Sequence, residues 1–171
     1  TRARAPALGT SWMGLQWVGP GLIAYGTPEQ QQRFLTGILD SEVVWCTGYS
    51  QPHCGSDRAA LPCKAARVGD DYVANGQKIW TTGAQFCKWG MLVARTDTSA
   101  AKHAGLTYFI VDMEASGIEI RPIKQMNGQS GFNEVFFTDV RTPETNRLGA
   151  EADGWRVASP TLTAEGPSGR G

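Results

Sequence analysis

Apolar residues follow a helical spacing early in the chain and a strand spacing afterwards. Leu15, Val18 and Leu22 recur at intervals of three and four, with Trp12 and Trp17 adding bulk, which predicts a helix. Gly19-Pro20-Gly21 interrupts that pattern. A second helix is predicted to start at Thr27-Pro28-Glu29-Gln30: Thr27 caps, Pro28 suits the first helical position, and Gln30 completes a capping box. Phe34, Leu35, Ile38 and Leu39 give it one apolar face. From Glu42 the texture changes. Val43–Thr47, Cys63–Val68, Tyr72–Ala74, Gln77–Thr81, Gly90–Thr96, Leu106–Asp112, Ile118–Pro122 and Asn133–Phe137 read as strands. Asn75-Gly76 carries a two-residue hairpin signal between two of them. Leu106–Asp112 is nearly all apolar, which predicts burial on both faces. Strands at such short intervals suggest a compact barrel or sandwich. Asp153-Gly154-Trp155 opens another helix-like run that ends among Gly and Pro.

Composition narrows the function classes. A length of 171 residues suffices for one domain with a core, or one domain and part of another. Sixteen Lys+Arg balance sixteen Asp+Glu, which argues against nucleic acid as the main partner. No apolar run approaches the ~18 residues that span a bilayer, and no signal-peptide pattern opens the chain. Thr1 opens in mid-pattern, so the expectation is a stretch of a longer protein, cytoplasmic or in the mitochondrial matrix. Cys46, Cys54, Cys63 and Cys87 form no CxxC pair, and His53 and His103 complete no zinc spacing. Free thiols are expected, with no disulfide and no metal.

Two polar clusters stand out. Thr47-Gly48-Tyr49-Ser50-Gln51-Pro52-His53-Cys54-Gly55-Ser56-Asp57 follows a strand, and its small and hydroxyl residues let a planar or phosphorylated ligand approach the backbone. The same composition suits a polar connecting loop. It holds neither GxGxxG nor GxxxxGK[ST], so the Rossmann and P-loop mechanisms are excluded. In Asn75-Gly76-Gln77-Lys78-Ile79-Trp80-Thr81-Thr82-Gly83, a Trp followed by two Thr at a strand end suits stacking on a flat heterocycle while hydroxyls bond its edge. Trp80 suits a core position equally well. No Ser/His/Asp set can be assembled, and Glu165 stands alone after Trp155–Ala164.

Together these segments resemble the acyl-CoA dehydrogenase family. The family pattern C-x-x-x-[ST]-E-P-x-A-G-S-D stands as Cys46 to Asp57, and N-G-x-K-x-W-[IT]-[TS] stands as Asn75 to Thr82. A third segment, Phe137-Thr138-Asp139-Val140-Arg141-Thr142-Pro143 followed by Asn146 to Trp155, falls in family order. Gln51 stands where the family has Glu, and His53-Cys54 where it has small residues.

The resemblance implies an α+β fold: a helical N-terminal segment, a small antiparallel β-barrel, and the start of a further helix at the C-terminus. The implied domains are residues 1–41, 42–152 and 153–171. It implies bound FAD, with Thr47, Tyr49, Ser50 and Ser56 lining the flavin, Trp80 against the isoalloxazine, and Thr81 and Thr82 bonding its edge. Ser56 would also touch the acyl-CoA. The implied reaction is removal of an α-proton by a carboxylate with transfer of the β-hydride to flavin. Leu162-Thr163-Ala164-Glu165 matches the position of the base in some members, with Gly166 where those members have Arg. An electron-transfer flavoprotein and a homo-oligomeric full-length form are the implied partners. Two alternatives stay open: a same-fold acyl-CoA oxidase or flavin monooxygenase, and an inactive truncated fragment or non-catalytic β-rich interaction domain.

Overall fold

The structure, a computed structural model, describes residues 12–52, 63–101 and 104–164. Ser56, Glu165 and the His53-Cys54 pair lie outside them. Helical structure comes first, and it is not interrupted at Gly19-Pro20-Gly21. A π-helical stretch over Gly14–Val18 leads directly into α1 (Gly19–Tyr25). Pro20 is the second residue of α1, directly after the π-helical stretch. Helix α2 (Pro28–Leu39) starts as predicted. Thr27 accepts from the Gln30 backbone N–H at 3.2 Å, and the Gln30 side chain accepts from the Thr27 N–H at 3.1 Å. The Gln30 side chain also donates to the carbonyls of Thr145 and Arg147, at 2.7 and 2.8 Å, tying the helix to the end of the sheet.

Eight strands form one sheet: β1 (Trp45–Gly48), β2 (Lys64–Val68), β3 (Asp71–Thr82), β4 (Trp89–Arg95), β5 (Leu106–Asp112), β6 (Ile118–Ile123), β7 (Phe132–Pro143) and β8 (Arg147–Leu148). Their order is β6-β7-β3-β2-β4-β5-β8, with β1 pairing to β4 off that path. Among the described residues the two end strands do not meet, so the sheet is open where a closed barrel was expected. Nor is it wholly antiparallel. The chain leaves β1, builds β2 and β3, and re-enters beside β1 in the same direction, which makes β1–β4 a parallel pair. Helix α3 (Gly154–Ala164) closes the described chain against β5. Among the described residues no helix is long and apolar enough to cross a membrane.

The hairpin expected at Asn75-Gly76 is absent. The turn lies a few residues earlier, at Gly69-Asp70 between β2 and β3, and β3 runs straight through Asn75-Gly76. There the pairing with β7 slips by a bulge, and Asn75 fits it: its Oδ1 accepts from the Asp139 backbone N–H at 2.9 Å. Gly76 has φ 146°, and a Cβ on it would lie 2.7 Å from the Cys63 Cα. Asn-Gly thus serves a bulge and a close strand approach, chemistry that reads identically to a turn in sequence.

Strand β5 shows how the two cores share the sheet. Leu106, Tyr108 and Ile110 face the helices, packed with Leu22, Phe34 and Val157. Phe109 and Val111 face the inner concavity with Tyr72, Leu92 and Val135. Both faces are buried, as its continuous apolar run predicted.

Candidate functional site

Strand β1 ends at Gly48, and the segment that follows is held against β3. The Ile79 N–H donates to the Ser50 carbonyl at 3.0 Å. A Cβ on Gly48 would sit 3.3 Å from the Lys78 Cγ, so a residue without a side chain lets β3 pass close beneath. Tyr49 is buried, and its hydroxyl shares a hydrogen bond with the hydroxyl of Tyr108 on β5. Ser50 therefore cannot swing away from the sheet.

The C-terminal half of β3 departs from regular strand geometry at one residue. Trp80 has φ 62°, in the left-handed region, and the β3–β7 register shifts between Lys78 and Thr81. Such a conformation costs a non-glycine residue about 1 kcal/mol. The strain is held from both sides. Ile79 is bound to Ser50, and the Thr81 carbonyl accepts from the Asn133 side-chain amide at 3.0 Å. Asn133 is 0% exposed and also donates to the Gln85 Oε1 at 2.5 Å. The consequence is a large ring presented outward: Trp80 is 55% exposed. Phe132 meets it edge-on, with ring centroids 6.1 Å apart.

These pieces enclose a groove of about 190 Å³ lined by Met13, Trp17, Thr47, Tyr49, Ser50, Ile79, Trp80 and Thr82. Five predicted site residues, Thr47, Tyr49, Ser50, Trp80 and Thr82, therefore line one surface. Thr81 does not join them. It is 2% exposed and turns inward to a small void shared with Cys46, Lys78 and Phe137. The alternation of a strand puts neighbouring side chains on opposite faces, so adjacent threonines cannot both face the groove through their side chains. Ser56 and Glu165 lie outside the described residues.

Some lining residues carried no polar signal in sequence. Met13 and Trp17 come from the helical start of the described chain, Trp17 from the π-helical stretch. A second cleft of about 260 Å³, lined by Trp12, Met13, Trp17, Val44, Trp45, Thr82, Gly83 and Cys87, adjoins the groove through Met13, Trp17 and Thr82. Its walls are largely aromatic and apolar.

The electrostatics of the surroundings are quiet. Cys46 is pushed well above the usual thiol range by a hydrogen bond with Cys87 and by burial. Burial raises Cys63 as well, against the pull of the Lys78 charge. Both thiols therefore stay protonated near neutral pH and are poor nucleophiles. Among the described residues no cluster of His, Cys, Asp and Glu could hold a metal ion. What remains is a surface with one flat aromatic face, hydroxyls at its border and an apolar cleft beside it. That combination suits a planar heteroaromatic ring, stacked on one face and bonded at its edge.

Comparison with known proteins places the chain in a family. Residues 46–140 match the family model described as the acyl-CoA dehydrogenase middle domain. The acyl-CoA dehydrogenase IpdE1 of Mycolicibacterium smegmatis is 48% identical over 96% of this chain. The structure of the Tcur3481-Tcur3483 steroid ACAD superposes with a TM-score of 0.86 at 35% identity over 91% of this chain. The ChsE4-ChsE5 complex from Mycobacterium tuberculosis superposes with a TM-score of 0.83 at 37% identity over 91% of it. The chain spans 44% of IpdE1 and 40% of each matched structure. By that match, and by the three motifs that fall inside or beside it, the chain belongs to the acyl-CoA dehydrogenase family.

Proposed function

We propose that this chain carries the flavin-facing part of an FAD-dependent acyl-CoA dehydrogenase, which removes the α-proton and β-hydride of an acyl-CoA thioester. The observation that carries the reading is Trp80: a large ring held outward in a strained backbone, beside Thr82, Thr47 and Ser50. A bulky residue at positive φ persists only where its surroundings over-determine it, and such positions cluster at ligand sites. The groove fits FAD in kind, since one face offers stacking and its border offers hydroxyls.

When bound, FAD supplies the acceptor for the β-hydride. Trp80 would stack against the ring. The Thr82 hydroxyl, at the strand end, would bond the ring edge, and Thr47 and Ser50 line the same groove. Met13 and Trp17 wall the groove from the helical side. Tyr49 fixes the loop through Tyr108, so these groups stay aligned without reorganising during the reaction. Some members of the family carry the proton-abstracting carboxylate at the position of Glu165 and many carry it in a later helical domain; Glu165, with Gly166 where the former have Arg, is this chain's own candidate.

The aromatic cleft next to the groove suits an acyl group with a ring system, in line with the steroid ACAD among the structural relatives. An electron-transfer flavoprotein would then reoxidise the flavin. Anaerobic addition of acyl-CoA to the intact, flavin-loaded protein tests the reading. Bleaching of the flavin absorbance is expected, faster with a ring-bearing acyl-CoA than with a straight-chain one. Bound flavin that no acyl-CoA bleaches would contradict it.

A further inference from the structure

Behind the Trp80 turn, two side-chain amides form a chain between two backbone carbonyls. Gln85 sits in a 3₁₀ turn, Ala84–Phe86, closed by the Phe86 N–H on the Gly83 carbonyl at 2.9 Å. Its Nε2 donates to the Ser130 carbonyl at 3.0 Å, and its Oε1 accepts from the Asn133 Nδ2 at 2.5 Å. The same Nδ2 donates to the Thr81 carbonyl at 3.0 Å, next to the left-handed Trp80. A carbonyl can only accept, so each end of the chain fixes which way its amide points. Turning either amide over would set acceptor against acceptor. The backbone therefore sets the direction of the chain.

Gln85 is half-buried and lines neither the groove nor the aromatic cleft. Its effect runs through Asn133, which is 0% exposed. A buried primary amide has two N–H bonds to satisfy, and Asn133 spends one on Thr81 and the other on Gln85. Without the Gln85 acceptor, one buried N–H loses its partner, and the amide gains by shifting toward another oxygen. The atom that shifts is the one that holds the Thr81 carbonyl. The turn that keeps Trp80 in its strained, outward pose then loosens. The backbone ties the same loop to the turn a second time. The Gly83 N–H donates to the Gly131 carbonyl at 2.9 Å, and the next residue, Phe132, meets Trp80 edge-on.

We infer that Gln85 is a positioning residue for the flavin groove: as the acceptor for Asn133, it keeps the Thr81 carbonyl held and the Trp80 ring facing outward. Its effect on FAD rests on the flavin reading above, whereas its effect on the turn does not.

The test compares wild type with Gln85→Met, Gln85→Glu and Gln85→Lys in the intact protein. Three quantities are read: amide exchange at residues 80–82 without flavin, the dissociation constant for FAD, and the visible circular dichroism of bound flavin. Gln85→Met removes acceptor and donor. Exchange at 80–82 then quickens, the flavin dichroism changes, and FAD affinity falls by up to about tenfold. Gln85→Glu keeps an acceptor for Asn133, and its three readings stay near wild type. Gln85→Lys keeps only a donor and follows Gln85→Met. A Gln85→Lys protein that matches wild type, or a Gln85→Glu protein that matches Gln85→Met, overturns the acceptor role. A Gln85→Met protein with a lowered Tm but unchanged exchange and flavin dichroism overturns the positioning role, because its glutamine would be structural only. Should Gln85→Met fail to fold, the contrast between Gln85→Glu and Gln85→Lys decides alone. Should wild type take up no FAD, the proposed function falls, and exchange at 80–82 decides whether Gln85 holds the turn.

Discussion

Strands β5 and β3 belong to the same sheet and follow opposite rules. Every residue of β5 pairs in register with β4, six of its seven residues are buried, and none carries a charge except Asp112 at its end. Strand β3 has two register breaks with β7, a buried lysine, a left-handed tryptophan and an exposed ring. The regular strand builds both cores and lines neither the groove nor the aromatic cleft. The irregular strand lines the groove. Departures from local rules cost free energy; the one at Trp80 lies where a ligand would recover it, whereas the break at Ala74/Gly76 and the left-handed Asp139 of β7 lie away from the groove.

That contrast can be broken at several points. The largest effect is expected in β5: Ile110→Ala should cost about 2–5 kcal/mol, through lost contacts and the cavity left behind. Denaturant titration should show it, with FAD affinity of the folded fraction unchanged. Second is Asn133→Ala, which strips the buried Thr81 carbonyl of its donor. Leaving such a group unsatisfied costs about 1–3 kcal/mol, and because it frees the strained turn, FAD binding should weaken as well. An Asn133→Ala protein with wild-type stability would show that the turn holds itself.

Third is Trp80→Gly. Relief of about 1 kcal/mol of backbone strain is offset by about 0.5–1 kcal/mol of glycine entropy, so stability should stay near wild type. Loss of the stacked ring should nevertheless weaken FAD up to about tenfold. A large stability loss would mean the ring is part of the core after all. The smallest effect concerns Lys88, the exposed counterpart of Lys78. It is held above the usual lysine range by hydrogen bonds to Glu114 and then Asp112. A raised folded value gives a contribution present below the ordinary lysine range and lost as pH rises through the raised one. The difference in Tm between wild type and Lys88→Met should therefore be small at pH 8 and vanish in strong alkali.

Legibility in sequence divides along the same line. The capping box at Thr27 and Gln30 and the double-sided burial of Leu106–Asp112 were readable because local pattern and tertiary fate agree there. Asn75-Gly76 misled, because a bulge needs the same residues as a turn and only the partner strand tells them apart. The motif residues Thr47, Ser50, Trp80 and Thr82 could be singled out as candidates, yet not that Thr81 faces inward. Strand alternation alone separates two adjacent threonines, and the bulge at Trp80 moves the phase. Met13 and Trp17 were invisible as site residues, since an apolar residue on a helix reads as core whether it meets a strand or a ligand. Lys78 was legible as part of a motif, but its burial was not, because nothing local distinguishes a solvated lysine from a buried one.

We place the flavin ring in the groove bounded by Thr47, Ser50, Trp80 and Thr82. Titration of the flavin-free intact protein with FAD, followed by tryptophan emission, tests it most directly. The chain has six tryptophans, so the comparison with Trp80→Gly isolates the one that matters. Saturable binding at one FAD per chain is predicted, with quenching in wild type that the Trp80→Gly protein largely loses. Absence of saturable binding, or equal affinity and equal quenching in the two proteins, would contradict this placement of the ring.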